Sequence, residues 1–154
     1  MKEEKGKKIV AQNRRARHDY FIQESYEAGM VLKGTEVKAL REGRVNIKDG
    51  YAKIKDGEIF LLDVHISPYA FGNRFNHDPL RPRKLLLHKR EILRLMGKVK
   101  ERGFSLIPLA IYFSHGRAKV ELALAKGKKL YDKREALRRK TLEKEVGHSY
   151  INYK

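Results

Sequence analysis

Hydrophobic spacing divides the chain into segments of different period. Ile92, Leu95, Met96 and Val99 recur at i, i+3, i+4 and i+7, which predicts an amphipathic helix over 88–102 with Gly103 as its stop. Strict alternation takes over at 118–125, where Val120, Leu122 and Leu124 fall on one face of a strand and Lys119 and Glu121 on the other. The run 104–113 is apolar and rich in strand formers, and Ser114-His-Gly-Arg117 turns it into that last strand. Residues 51–55 and 58–62 flank Asp56-Gly57, the signature of a two-residue hairpin, and Val64 and Ile66 extend its second arm. Further upstream, 18–25 reads as a strand with Tyr20 and Ile22 on one face, 27–29 as a turn and 30–33 as a second strand. Segment 34–43 alternates like a strand, but Thr35 can cap a helix and Gly43 can end one, and a short helix is the reading adopted. In the apolar run 84–87, alternation separates Leu85 and Leu87 from Leu86. The stretch 67–83, with three prolines, reads as a long loop.

These elements predict a mainly β chain with two or three helices. A sheet that is apolar on one face must close on itself or be covered. The expected architecture is a closed antiparallel β-barrel of the oligonucleotide-binding kind, with a charged C-terminal tail; a generic α+β sandwich is the alternative. Residues 1–8 are polar and basic and are expected to be disordered, 9–130 to form the barrel domain, and 131–154 to form the tail.

Charge narrows the function. Thirty-six Lys and Arg against nineteen Asp and Glu give a formal net charge of +17, which calls for a polyanionic partner. The sequence has no apolar run of transmembrane length and no signal-peptide pattern, so nucleic acid rather than a membrane is the expected partner and the cytoplasm the expected setting. With no cysteine, disulfides and thiolate metal sites are excluded, and the six histidines do not fall at metal-ligand spacing. No metal or other cofactor is expected.

Catalysis finds little support. His18-Asp19 and His77-Asp78 are the adjacent acid–base pairs, and in a strand His18 and Asp19 would point to opposite faces. No phosphate-binding glycine loop or two-metal acidic cluster is evident, so the chain is expected not to be an enzyme; an RNA-cleaving phosphodiesterase and a structural ribosomal protein are the alternatives. Binding is better served. Basic groups interleave with aromatic and apolar ones at 13–20, at 81–88 and at 126–134, where Tyr131 stands among Lys126, Lys128, Lys129, Lys133 and Arg134. Each such run is by default a solvated face. Glu27 is by default a charge balancer, with acceptance from a guanine or cytosine edge as its functional reading.

Several blocks together resemble one family. They are Asn13-x-Arg15-Ala16-Arg17-His18-x-Tyr20, Glu27-Ala28-Gly29, Gly34-Thr-Glu-Val-Lys38, Asn76-His77-Asp78-Pro79-x-Arg81-x-Arg83-Lys84-Leu-Leu-Leu-His88, and Ala125-Lys126-Gly127-Lys128-Lys129-x-x-Asp132-Lys133-Arg134. In order and spacing they resemble the bacterial SsrA-binding protein family, also called small protein B. The resemblance implies an oligonucleotide-binding-like barrel that holds the tRNA-like part of transfer-messenger RNA. It also implies entry into the empty A site of a stalled ribosome, with elongation factor Tu joined through the RNA, to license trans-translation. The family's RNA-contact positions fall on Asn13, Glu27, Leu86 and Lys119, and His18, Tyr20, Arg83 and Lys84 lie in the same matched blocks. Leu86 is thereby expected to face outward. Lys126, Lys128, Lys129, Tyr131, Asp132, Lys133 and Arg134 match the tail that meets the decoding centre and the mRNA channel, disordered when free and helical on the ribosome.

Overall fold

Asp56 and Gly57 both take positive φ, 52° and 76°, and the turn they make joins two paired antiparallel strands. The computed structural model describes residues 3–4, 6–68, 76–101 and 103–128. Among them the strands are β1 (Glu3–Glu4), β2 (Lys7–Gln12), β3 (Tyr20–Met30), β4 (Val45–Asn46), β5 (Tyr51–Lys55), β6 (Glu58–Leu62), β7 (His65–Ile66), β8 (Arg83–Leu86), β9 (Phe104–Ser114) and β10 (Arg117–Gly127). The helices are α1 (Ala16–Asp19), α2 (Gly34–Arg41) and α3 (Lys89–Val99).

Eight strands form one antiparallel sheet in the order β1-β2-β9-β10-β3-β8-β6-β5, and β5 pairs again with β9 through Ala52 and Leu106. Six of the strands, from β9 round to β5, therefore make a ring. β4 and β7 pair separately. The alternation in β10 works as read: Val120, Leu122 and Leu124 enter the main core with Ile59, Leu61 and Leu85. Ile92 and Leu95 of α3 and Leu40 of α2 join that core, so the apolar stripe of α3 is what seats the helix. On the other side of β9 and β10, Ala123 and Ala125 meet Ile107, Leu109 and Ala16, so α1 lies over that surface.

Several expectations need correction. Lys7 and Lys8 belong to β2, and Glu3–Glu4 pair back on them, so strand structure begins inside the segment read as disordered. The free edge of β9 supplies backbone partners that local polarity does not reveal. There is no turn at 27–29: β3 continues unbroken to Met30, because β10 and β8 pair along its two edges. His18 and Asp19 lie in α1 rather than in a strand. Val64 and Ile66 do not prolong the hairpin arm, since Asp63 at φ 56° breaks it and Ile66 pairs with Val45 instead. Helix α2 forms as expected, but Thr35 does not cap it. Lys33 precedes the helix and donates its backbone N–H to Glu36 Oε1 at 2.8 Å, while Thr35 bonds to His77.

Candidate nucleic-acid interface

Strand register brings three of the expected contact residues together. Lys119 of β10 stands opposite Gly29 of β3, and Gly29 stands opposite Leu86 of β8. Residues directly opposite share a face, so Lys119, Gly29 and Leu86 form one row across three strands. The row continues to Tyr112 of β9, the partner of Lys119 on its other side. Gly29 has a specific place in it: a Cβ there would stand 3.4 Å from the Leu86 Cβ, so the leucine lies against bare backbone. Leu86 is 55% exposed while Leu85 is 1% exposed, so Leu86 offers an apolar shelf to solvent as expected.

Glu27, two residues before Gly29, projects beside this row and is held on both oxygens. Lys119 Nζ donates to Oε1 at 3.0 Å, and the Tyr112 hydroxyl donates to Oε2. Lys7 Nζ lies 3.8 Å from Oε2 and 4.8 Å from the centre of the Tyr112 ring. The bond from Tyr112, then that from Lys119, holds the Glu27 carboxyl below the usual carboxylate range. Burial, reinforced by the anionic Glu27, pushes the Tyr112 phenol upward. The result is a fixed carboxylate flanked by two cations and an aromatic ring. Tyr112 and Lys7 were not among the candidates from sequence. Tyr112 sits in a run that reads as pure core, and its polar tip among apolar neighbours was the available signal.

Lys84, two residues before Leu86 on the same face, pairs with Glu58 and stays half-exposed. Arg83 requires a correction: it is fully buried and unavailable to RNA. Its Nε donates to Glu36 Oε2 at 2.7 Å, Nη1 to Val64 O at 2.5 Å and Nη2 to Pro79 O at 3.0 Å. Strand alternation alone puts Arg83 on the side of Leu85. His77 is buried in the same region, against Ile66 O and Thr35 Oγ1, both at 2.8 Å. These bonds fasten the described part of the long loop to α2 and β7.

The other candidates gather elsewhere. Nine residues along β3 from Gly29, roughly 30 Å of strand, Tyr20 and Asn13 line a cleft of about 1260 Å³ with Arg15, Lys53, Lys100 and Phe104. Asn13 is tied to β9, its Nδ2 donating to Pro108 O at 3.3 Å. His18 is exposed on α1 and bonds Asp19 Oδ1 at 3.0 Å, an arrangement that the helical turn permits and a strand would not. Near this end Lys126 lies 5.0 Å over the Phe104 ring. Lys128 lies 5.0 Å over the Phe21 ring and donates to Arg17 O at 3.0 Å. Lys129, Tyr131, Asp132, Lys133 and Arg134 lie outside the described residues. Among those described, no group of three or more acidic, histidine or cysteine side chains could hold a metal, and no helix is long and apolar enough to cross a membrane.

A family model described as SmpB protein matches residues 10–151. The chain belongs to the SmpB family. Among SmpB relatives, the SsrA-binding protein of Desulforudis audaxviator is 63% identical over 142 residues, covering 92% of this chain and 93% of that one. The SsrA-binding protein of Geobacillus thermodenitrificans is 60% identical over 143 residues, covering 93% and 92%. A solved structure described as "tmRNA-SmpB: a journey to the center of the bacterial ribosome" matches with a TM-score of 0.66 and 54% identity, over 84% of this chain and 94% of that chain. The mainly β fold with three helices is thus an SmpB fold.

Proposed function

We propose that this SmpB chain binds the tRNA-like domain of transfer-messenger RNA and carries it to stalled ribosomes for trans-translation. The names of its relatives, SsrA-binding protein and tmRNA-SmpB on the ribosome, support the partner and the setting. The observation that carries the reading to particular residues is the register that sets Lys119, Gly29 and Leu86 in one row beside Glu27. Cations there neutralise phosphates, Leu86 gives an apolar surface for a base or ribose, and a fixed carboxylate can accept from a base edge.

The six-strand ring supports reading the fold as a closed oligonucleotide-binding-like barrel over 9–130. The second group, Asn13, His18 and Tyr20, stands near the point from which the chain leaves β10, and we assign it to RNA contact as well. Lys126, Lys128, Lys129, Tyr131, Asp132, Lys133 and Arg134 are assigned to the decoding centre and mRNA channel, with 131–154 as the tail. Elongation factor Tu joins through the RNA. The chain acts in the cytoplasm, by binding and without catalysis or cofactor.

The test is titration of a transcript of the tRNA-like domain at increasing salt. Affinity should fall with a log–log slope of several units, at about 0.7–0.9 per neutralised phosphate. A flat response, or RNA cut on incubation with divalent metal, overturns the reading.

A further inference from the structure

Tyr112 is not among the residues that the family resemblance assigns, yet it is the neutral partner in a cluster of charges. Its hydroxyl donates to Glu27 Oε2, the oxygen nearer Lys7. Glu27 Oε1 already accepts from Lys119. The phenol competes for Oε2, and Lys7 forms only a long ion pair with that oxygen, 3.8 Å off and beyond hydrogen-bond length, while resting over the Tyr112 ring. Lys7 and Glu27 are both about half-exposed, 45% and 42% for their side chains, so this cation faces solvent beside the row that ends at Leu86.

A carboxylate oxygen without the phenol would be a bare anionic acceptor. A lysine within reach would close on it and form a charge-assisted bond. The ammonium would then be drawn in toward the protein, as that of Lys119 is, whose side chain is 29% exposed against 45% for Lys7. We propose that Tyr112 is a positioning residue of the RNA face: its hydroxyl competes for Glu27 Oε2 and its ring seats the ammonium, and together they hold Lys7 off the carboxylate and available to an RNA phosphate. The proposal rests on the RNA-binding reading of this face. It adds a residue that touches no RNA itself and a cation from the N-terminal hairpin that the sequence placed in a disordered segment. The fold places that cation there, because β2 docks on β9 with Ile9 opposite Tyr112 and Lys7 two residues away on the same face.

The experiment uses the full chain and a transcript of the tRNA-like domain, with Tyr112→Phe, Lys7→Ala and the double variant titrated across a range of salt. Tyr112→Phe keeps the ring and its packing and removes one oxygen. It should weaken binding by about tenfold to a hundredfold, the scale of one hydrogen bond to a charged group. It should also lower the log–log salt slope by about 0.7–0.9, the share of one phosphate contact. Lys7→Ala should lower the slope by the same amount, and the double variant should lose no more than Lys7→Ala alone. A purely structural tyrosine would lower the melting temperature, leave the slope untouched and add to the lysine change. A wild-type slope for Tyr112→Phe, or additive losses in the double variant, overturns the proposal. Should Tyr112→Phe fail to fold, a wild-type slope for Lys7→Ala overturns it alone. Glu27→Gln separates the two levels. If Glu27→Gln, Leu86→Ala and Lys119→Ala all bind like wild type, the RNA reading of this face fails with the proposal. If they weaken binding while Tyr112→Phe and Lys7→Ala do not, only the role of Tyr112 fails.

Discussion

Arg83 donates its Nε proton to Glu36 across 2.7 Å, with both side chains excluded from solvent. Glu36 also accepts from Arg81 Nη2 at 2.5 Å and from the Lys33 backbone. Removing one member of such a buried pair leaves a desolvated charge behind, which costs far more than the pair contributes on balance. Arg83→Met should therefore destabilise the protein by about 3–5 kcal/mol in a denaturant titration. A variant that unfolds like wild type but binds RNA poorly would return Arg83 to the RNA face.

Glu36 also sets a pH dependence. Burial pushes its carboxyl upward, but bonds from Arg81, the Lys33 backbone and Arg83 outweigh this, and the net displacement is downward from 4.5. A carboxyl depressed in the folded state contributes stability that is complete above its unfolded value and fades as pH falls through the folded one. Stability should thus decline below about pH 4.5, and Glu36→Gln should flatten that decline. An unchanged acid limb in Glu36→Gln would contradict the assignment.

The pair Leu85 and Leu86 offers an internal control. Leu85→Ala should cost roughly 2–5 kcal/mol, as a buried leucine does. Leu86→Ala, at an exposed position, should leave stability within about 0.5 kcal/mol of wild type and weaken RNA binding. Equal losses of stability at both positions would mean that strand β8 is turned differently from its described register.

Glu27→Gln keeps the shape of the side chain and removes its charge. Half-exposed ion pairs contribute about 0–1 kcal/mol, so its melting temperature should barely move. RNA affinity should fall. Calorimetry and a binding titration on one preparation decide it: loss of stability with normal binding would leave Glu27 a charge balancer alone.

Truncation after Leu130 addresses the tail. The shortened chain should keep the stability of the ring and much of its RNA affinity, and lose ribosome rescue in a reconstituted trans-translation reaction. Full rescue by the truncated chain would remove 131–154 from the mechanism.

The sequence was most informative where period and punctuation agreed. Ile92, Leu95 and the glycine that follows the helix defined α3, Asp56-Gly57 defined a hairpin, and Leu86 separated from Leu85 by alternation alone. It misled where an edge supplied partners from far away. The segment at 27–29 carries a glycine and reads as a turn, but pairing with β10 along its length and with β8 at Gly29 keeps it in the strand. Arg83 was misplaced because arginine near other basic residues suggests a surface, and only the fold shows Glu36 arriving from 47 residues away.

Composition and the order of motifs were enough to determine the polyanionic partner and the family, because net charge and short blocks of residue types are properties of the chain itself. The meeting of Glu27, Lys119, Leu86, Tyr112 and Lys7 was decided by tertiary structure alone. Those residues come from five strands, β3, β10, β8, β9 and β2. Which of them become neighbours depends on strand order and on register, and a shift of one residue in any pairing would have turned a member of the group to the opposite face.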